Sequence, residues 1–131
     1  MITRKSKPAK YLGPLANTMQ TAKQRLAAER RRYRIEARAF VAESVARGER
    51  CPVVAAIPEL RNGRKYGHPI SARLTECHHR FGRVGKLLRW QAGWMAVSRL
   101  GHRWIHQHVS EARAHGWMAP VGQFNNQKMA S

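Results

Sequence analysis

"ARLTECHHRFGRVGKLLRWQAGWMAVSRLGHRWIHQH", residues 72–108, decides the fold. Its first eight residues alternate weakly between apolar and polar and end on His78 and His79, the pattern of a short strand. "RFGRVGKLLRWQAG" (80–93) follows, with three glycines and the cations Arg80, Arg83, Lys86 and Arg89, a composition suited to a loop that faces phosphates. "WMAVS" (94–98) reads as a second strand, and "HRWIHQH" (102–108) begins a helix. The helix is expected to break at Ser110, a suitable N-cap for "EARAHG", and to close on Gly116. His102 and His106 fall on one helical face, a spacing at which two imidazoles can share a metal ion. Trp104 and Ile105 between them turn toward the core.

Upstream, the residues from about Asn17 to Arg47 contain no Pro or Gly and are rich in Ala, Arg, Glu and Gln, which predicts a helix within the segment 15–48. Met19, Leu26, Tyr33 and Phe40 recur every seven residues and, with Ala37, Val41 and Val45, give one apolar stripe. Arg30, Arg31, Arg32, Arg34 and Arg38 make "ERRRYR" and its surroundings dense in cations, which suits either phosphate contact or a simply solvated face. Gly48 ends the helix. Residues 1–14 read as a flexible basic arm, "CPVVAAIPELRNGRKYGHPIS" (51–71) as turns and irregular loop, and residues 121–131 as a weakly structured tail.

Charge narrows the partners. Twenty-five Lys and Arg against seven acids in 131 residues give a net charge of +18. Such an excess seeks a polyanion, so nucleic acid is the expected partner. No apolar run reaches the roughly 18 residues of a membrane span and none follows the basic "MITRKSKPAK", so a soluble, intracellular protein with no membrane partner is expected. Cys51 and Cys77 belong to no CxxC pair, which excludes a four-cysteine structural zinc site and leaves two reduced thiols as the default. Cys77 is expected to be a small buried residue, and His68, His108 and His115 surface or loop residues.

Taken together, "ECHHRFGRVGKLL", "WMAVS" and "SRLGHRWIH" resemble the HNH endonucleases, the ββα-metal nucleases, and especially their small phage-borne type. The resemblance runs from about Cys51 to Pro120. It implies an α+β fold: a small ββα-metal domain over residues 49–120, preceded by the long basic helix. It implies His79 as general base and His78, His102 and His106 as metal ligands; Glu76, two residues before His78 and on its side of the strand, is placed to orient an imidazole. Arg80, Arg83, Lys86 and Arg89 would hold the scissile phosphate. It further implies one divalent ion (Mg²⁺, Mn²⁺, Ni²⁺ or Zn²⁺), no small-molecule cofactor, double-stranded DNA as substrate, and the cytoplasm of a bacterial host if the chain is phage-encoded. The chain departs from the pattern at the zinc-binding CxxC pairs, whose positions would be Cys51, Val54, Ser98 and Gly101, and at the central Asn, near which Gly93 stands. A core built from Trp90, Trp94, Trp104, Trp117, Leu87 and Leu88 is expected to replace the zinc. Retention of the histidines favours an enzyme. The alternatives are a degenerate HNH scaffold that only binds nucleic acid, and a basic structural component of a phage nucleoprotein assembly.

Overall fold

The computed structural model describes residues 21–62 and 72–130. The arm expected over residues 1–14, the helix start at Asn17, Met19 and His68 lie outside the described residues. Two compact units divide the chain, residues 1–32 and 33–131. Within the first, helix α1 (Ala22–Ala46) opens on a reciprocal cap. Thr21 Oγ1 accepts the Gln24 N–H at 3.0 Å, and Gln24 Oε1 accepts the Thr21 N–H at 2.9 Å. Two of the helix's free donors are thereby satisfied. Leu26, placed on the apolar stripe by its seven-residue spacing, is half exposed.

In the second unit the helical stripe is better defined. Ala37 is buried, and Phe40 and Val41 pack against the core, so the inward face follows steps of three and four. Val45 is exposed instead, because the straight helix has turned it past the edge of that face. Gly48, at φ 79°, stops the helix: its N–H reaches the Val45 carbonyl at 2.9 Å and the Glu49 N–H reaches Ser44 at 3.1 Å.

The proline-rich stretch from residue 51 departs from the irregular loop expected of it. Its described part, residues 51–62, folds into two single-turn helices, α2 (Pro52–Ala56) and α3 (Pro58–Asn62), while 63–71 lie outside the described residues. Each opens on a proline, at the position where a missing N–H costs nothing and a fixed φ helps. Val53, Val54, Ile57 and Leu60 are thereby turned into the core.

Strands β1 (Glu76–His79) and β2 (Trp94–Val97) form a two-stranded antiparallel sheet. Glu76 pairs with Val97, Cys77 with Ala96, His78 with Met95 and His79 with Trp94. The connection between them holds two 3₁₀ turns, Gly85–Arg89 and Gln91–Gly93. Helix α4 (Arg99–Gln107) starts directly after β2, three residues earlier than the histidine pattern suggests. Ser98 is its N-cap: the hydroxyl accepts the Gly101 N–H at 3.0 Å. The break before helix α5 (Val109–Ala114) falls at His108 rather than Ser110, which is an exposed helical residue. Trp104, Ile105, Ala112, Trp117 and Met118 join Val53, Val97 and Leu74 in the core. Trp94 and Leu87 are also buried, whereas Trp90 and Leu88 are only partly covered.

The last residues are not a loose tail. The Ala119 N–H donates to the Arg80 carbonyl at 2.8 Å, and the Asn125 N–H to the Phe81 carbonyl at 2.8 Å. Gln127 Oε1 accepts the Lys86 N–H at 3.3 Å from a closing 3₁₀ turn, Gln127–Ala130. The molecule is a small α+β structure. No helix among the described residues is long and apolar enough to cross a membrane.

Candidate metal and phosphodiester site

Successive strand residues point to opposite faces of a sheet. His78 therefore faces helix α4 and His79 faces α1. Because Trp104 and Ile105 hold α4 to the core, His102 and His106 stand on the remaining face, over His78. The His78 ring centroid lies 5.0 Å from that of His102 and 5.6 Å from that of His106, with 4.9 Å between the latter two. One ring nitrogen from each lies within 4.8 Å of the other two, so this trio could hold a metal ion.

Hydrogen bonds prepare two of the three rings for that role. His102 Nδ1 lies 2.7 Å from Glu76 Oε1; an ionised carboxylate only accepts, so Nδ1 carries the proton and the lone pair sits on Nε2. His78 Nε2 lies 2.7 Å from the Trp117 carbonyl, which leaves its lone pair on Nδ1. His106 is exposed and has no hydrogen-bond partner among the described residues, so one side of the trio is open to solvent. Burial pushes His78 down to about 4, helped by the neighbouring histidines and opposed by the Trp117 hydrogen bond. His106 is also lowered, chiefly by the partial desolvation of its ring and then by His102. Neutral imidazoles are the form a metal requires, so the donor set fits a divalent ion of the borderline class.

On the other face, His79 Nε2 donates to the Leu88 carbonyl at 3.1 Å, and Trp94 Nε1 donates to the same oxygen at 3.2 Å. The Tyr33 ring lies 5.2 Å from His79 and the Trp94 ring 5.7 Å. Burial among these groups pushes His79 down to about 4, with the Leu88 bond opposing. Nδ1 is thus unprotonated at neutral pH and has no hydrogen-bond partner among the described residues. His79 is 8 % exposed. Cys77 shares its face. Burial pushes that thiol up to about 12 against the pull of Arg83, so it is no nucleophile at neutral pH.

The cations fall into two groups. Arg83 and Lys86 are exposed on the connection, Arg83 with its guanidinium 5.3 Å from the Tyr33 ring centre. Arg80 and Arg89 have structural work instead. Arg80 donates to the Ala92 carbonyl at 2.7 Å, and its buried Nε is unpaired among the described residues. Arg89 makes two bonds to Glu36, at 2.9 and 2.6 Å. Arg34 and Arg38 are exposed on α1. In the first unit Arg30 and Arg31 are exposed, and Arg32 pairs with Glu29 at 3.3 Å.

Sequence reasoning missed Tyr33 as a wall of the His79 pocket, and the Leu88 and Trp117 carbonyls as partners of the two histidines. Carbonyls carry no side-chain signal. Tyr33 was visible only as a member of an apolar stripe.

The corner around Gly101 is filled by packing. A Cβ on Gly101 would lie 2.5 Å from Cys51 Sγ, 3.1 Å from Val53 Cβ and 3.3 Å from Ser98 Oγ. Cys51, Ser98 and Gly101 therefore converge, but one thiol, one capping hydroxyl and one bare Cα occupy the space. Gly93 is similarly constrained, since a Cβ there would meet the Trp90 ring at 2.8 Å. The Trp90–Phe81 ring contact at 5.4 Å and the Arg80 N–H to Gly93 carbonyl bond at 2.9 Å hold this end of the connection.

Comparison with protein-family models, with curated proteins and with solved structures gave no match.

Proposed function

We propose that the chain is a metal-dependent HNH-type endonuclease that cleaves phosphodiester bonds in double-stranded DNA. One observation carries this reading: a His trio able to hold an ion stands on one face of a two-stranded sheet, while a fourth histidine, next in sequence, is held neutral on the other. The order of strand, basic connection, strand and His-bearing helix supports it. So does the convergence of Cys51, Ser98 and Gly101 at the corner where relatives of the HNH type would bind zinc. The net charge of +18 supports a nucleic-acid partner.

His78, His102 and His106 would hold the ion, with Glu76 fixing the His102 ring. Bound there, a divalent ion would supply polarisation of a phosphoryl oxygen and stabilisation of the departing 3′ oxygen. His79 accepts a proton at Nδ1 from the water that attacks phosphorus; its Nε2–H bond to Leu88 fixes which nitrogen is basic. Arg83 supplies exposed positive charge beside that histidine, and Lys86 on the same connection and Arg34 and Arg38 on α1 add more.

The test is relaxation of supercoiled plasmid in the presence of Mn²⁺, Ni²⁺ or Mg²⁺, halted by EDTA. His79→Ala is expected to abolish nicking and leave DNA binding intact. A second reading, a nucleic-acid-binding scaffold that does not cleave, is favoured by the near burial of His79 beneath Tyr33 and Trp94. Wild-type protein that binds DNA but nicks it with none of these metals would establish that reading instead.

A further inference from the structure

His78 is 1 % exposed, and its one hydrogen-bond partner among the described residues is a main-chain oxygen, the Trp117 carbonyl. That carbonyl is aimed by a specific turn. Helix α5 ends in a doubly bonded left-handed cap: the Gly116 N–H reaches the Arg113 carbonyl at 3.0 Å, and the Trp117 N–H reaches Ala112 at 2.9 Å. Gly116 has φ 81°, and a Cβ there would meet nothing within 4 Å. Conformation, not crowding, is what requires glycine at this position.

The residues on either side are held as well. The His115 ring stacks on Trp117 with centroids 4.1 Å apart and planes 6° from parallel, and Trp104 meets the same indole edge-on at 5.9 Å. Two residues on, the Ala119 N–H donates to the Arg80 carbonyl at 2.8 Å, while Arg113 Nε donates to the Ala119 carbonyl at 3.2 Å. The chain beyond α5 is therefore tied to the end of β1 at two points, by Trp117 through the His78 ring and by Ala119 through the Arg80 backbone.

We propose that the Gly116–Trp117 turn is a positioning device for His78, with Trp117 acting through its main-chain carbonyl to fix both the ring's orientation and its tautomer. This rests on the reading of His78 as a metal ligand. The bond occupies Nε2 and leaves Nδ1 as the ring nitrogen with a free lone pair. Hydrogen-bond partners of metal-binding histidines commonly govern affinity by about 10- to 100-fold.

The experiment uses the full chain labelled with ¹⁵N-histidine, metal-free at pH 7.5, and Ni²⁺ titration calorimetry. In wild type the His78 ring is expected as a single Nε2–H tautomer. Gly116→Ala should give mixed tautomers and about 10-fold or greater loss of Ni²⁺ affinity, and Gly116→Asn, which tolerates the left-handed region, should restore both. Gly48→Ala is the matched control, because Gly48 has φ 79° at the end of α1 and the same open space. It should lose comparable stability and change neither readout. Unchanged tautomer and affinity in Gly116→Ala would reduce the turn to a helix stop and overturn the proposal. A wild-type spectrum showing the Nδ1–H form would do so without any variant. If Gly116→Ala scrambles the tautomer but no form of the protein binds Ni²⁺, the positioning device stands and the metal reading fails.

Discussion

Acidifying the metal-free protein from pH 7.5 to 5 should remove about 4 kcal/mol of its stability. His78 and His79 are 1 % and 8 % exposed, and each is pushed from 6.5 down to about 4, chiefly by burial. Both folded values are depressed, so between pH 6.5 and 4 the unfolded chain binds protons that the folded chain refuses. Stability is then complete above pH 6.5 and falls as the pH falls. At pH 5 the linkage amounts to about 2 kcal/mol for each histidine. Against a total of about 5–15 kcal/mol for an ordinary domain, the combined loss is large. Ordinary carboxylates titrate mostly below this window. Urea unfolding followed by tryptophan fluorescence, in EDTA at pH 7.5, 6.5 and 5, measures the effect. His79→Gln should roughly halve the pH dependence, whatever it does to stability at pH 7.5. A loss below about 1 kcal/mol between pH 7.5 and 5, or a gain, would refute the claim that both rings are buried neutral.

Other expected outcomes follow from single contacts. Gly101→Ala should destabilise by about 1–2 kcal/mol, because overpacking against Cys51 outweighs the gain in helix propensity; Cys51→Ala in the same chain should recover most of it, as a double-mutant cycle in urea would show. Glu76→Gln should weaken Ni²⁺ binding about 10-fold with little change in thermal midpoint, since the amide holds His102 less firmly than the carboxylate. Glu36→Gln should cost about 1 kcal/mol in urea by breaking the two-bonded, part-buried Arg89 pair. Binding to a DNA duplex should weaken steeply between 50 and 200 mM salt, and a flat response would count against phosphate contact.

The local elements were legible where pattern and chemistry agree. β1 follows from a short, weakly alternating run, β2 from the short apolar stretch in "WMAVS", and α1 from a long stretch without Pro or Gly. The ends of helices were less legible. Ser98 caps α4 although it also completes the strand pattern of "WMAVS", and a residue in two patterns is assigned by backbone hydrogen bonds that only the fold supplies. Pro52 and Pro58 read as loop markers because proline is ambiguous: it breaks a helix from within and starts one from its first turn.

By itself the sequence determined the face of α4 that carries His102 and His106, since a four-residue spacing on a helix needs no tertiary context. It also determined the split of His78 and His79 between two faces, which the two-residue repeat of a strand imposes. Only the tertiary structure decided that His78 meets the α4 pair, that Arg89 belongs to Glu36 rather than to an exposed phosphate-facing edge, and that Leu88 and Trp117 set the tautomers of the two histidines. These depend on long-range packing and on main-chain carbonyls, which every residue possesses and no sequence pattern distinguishes.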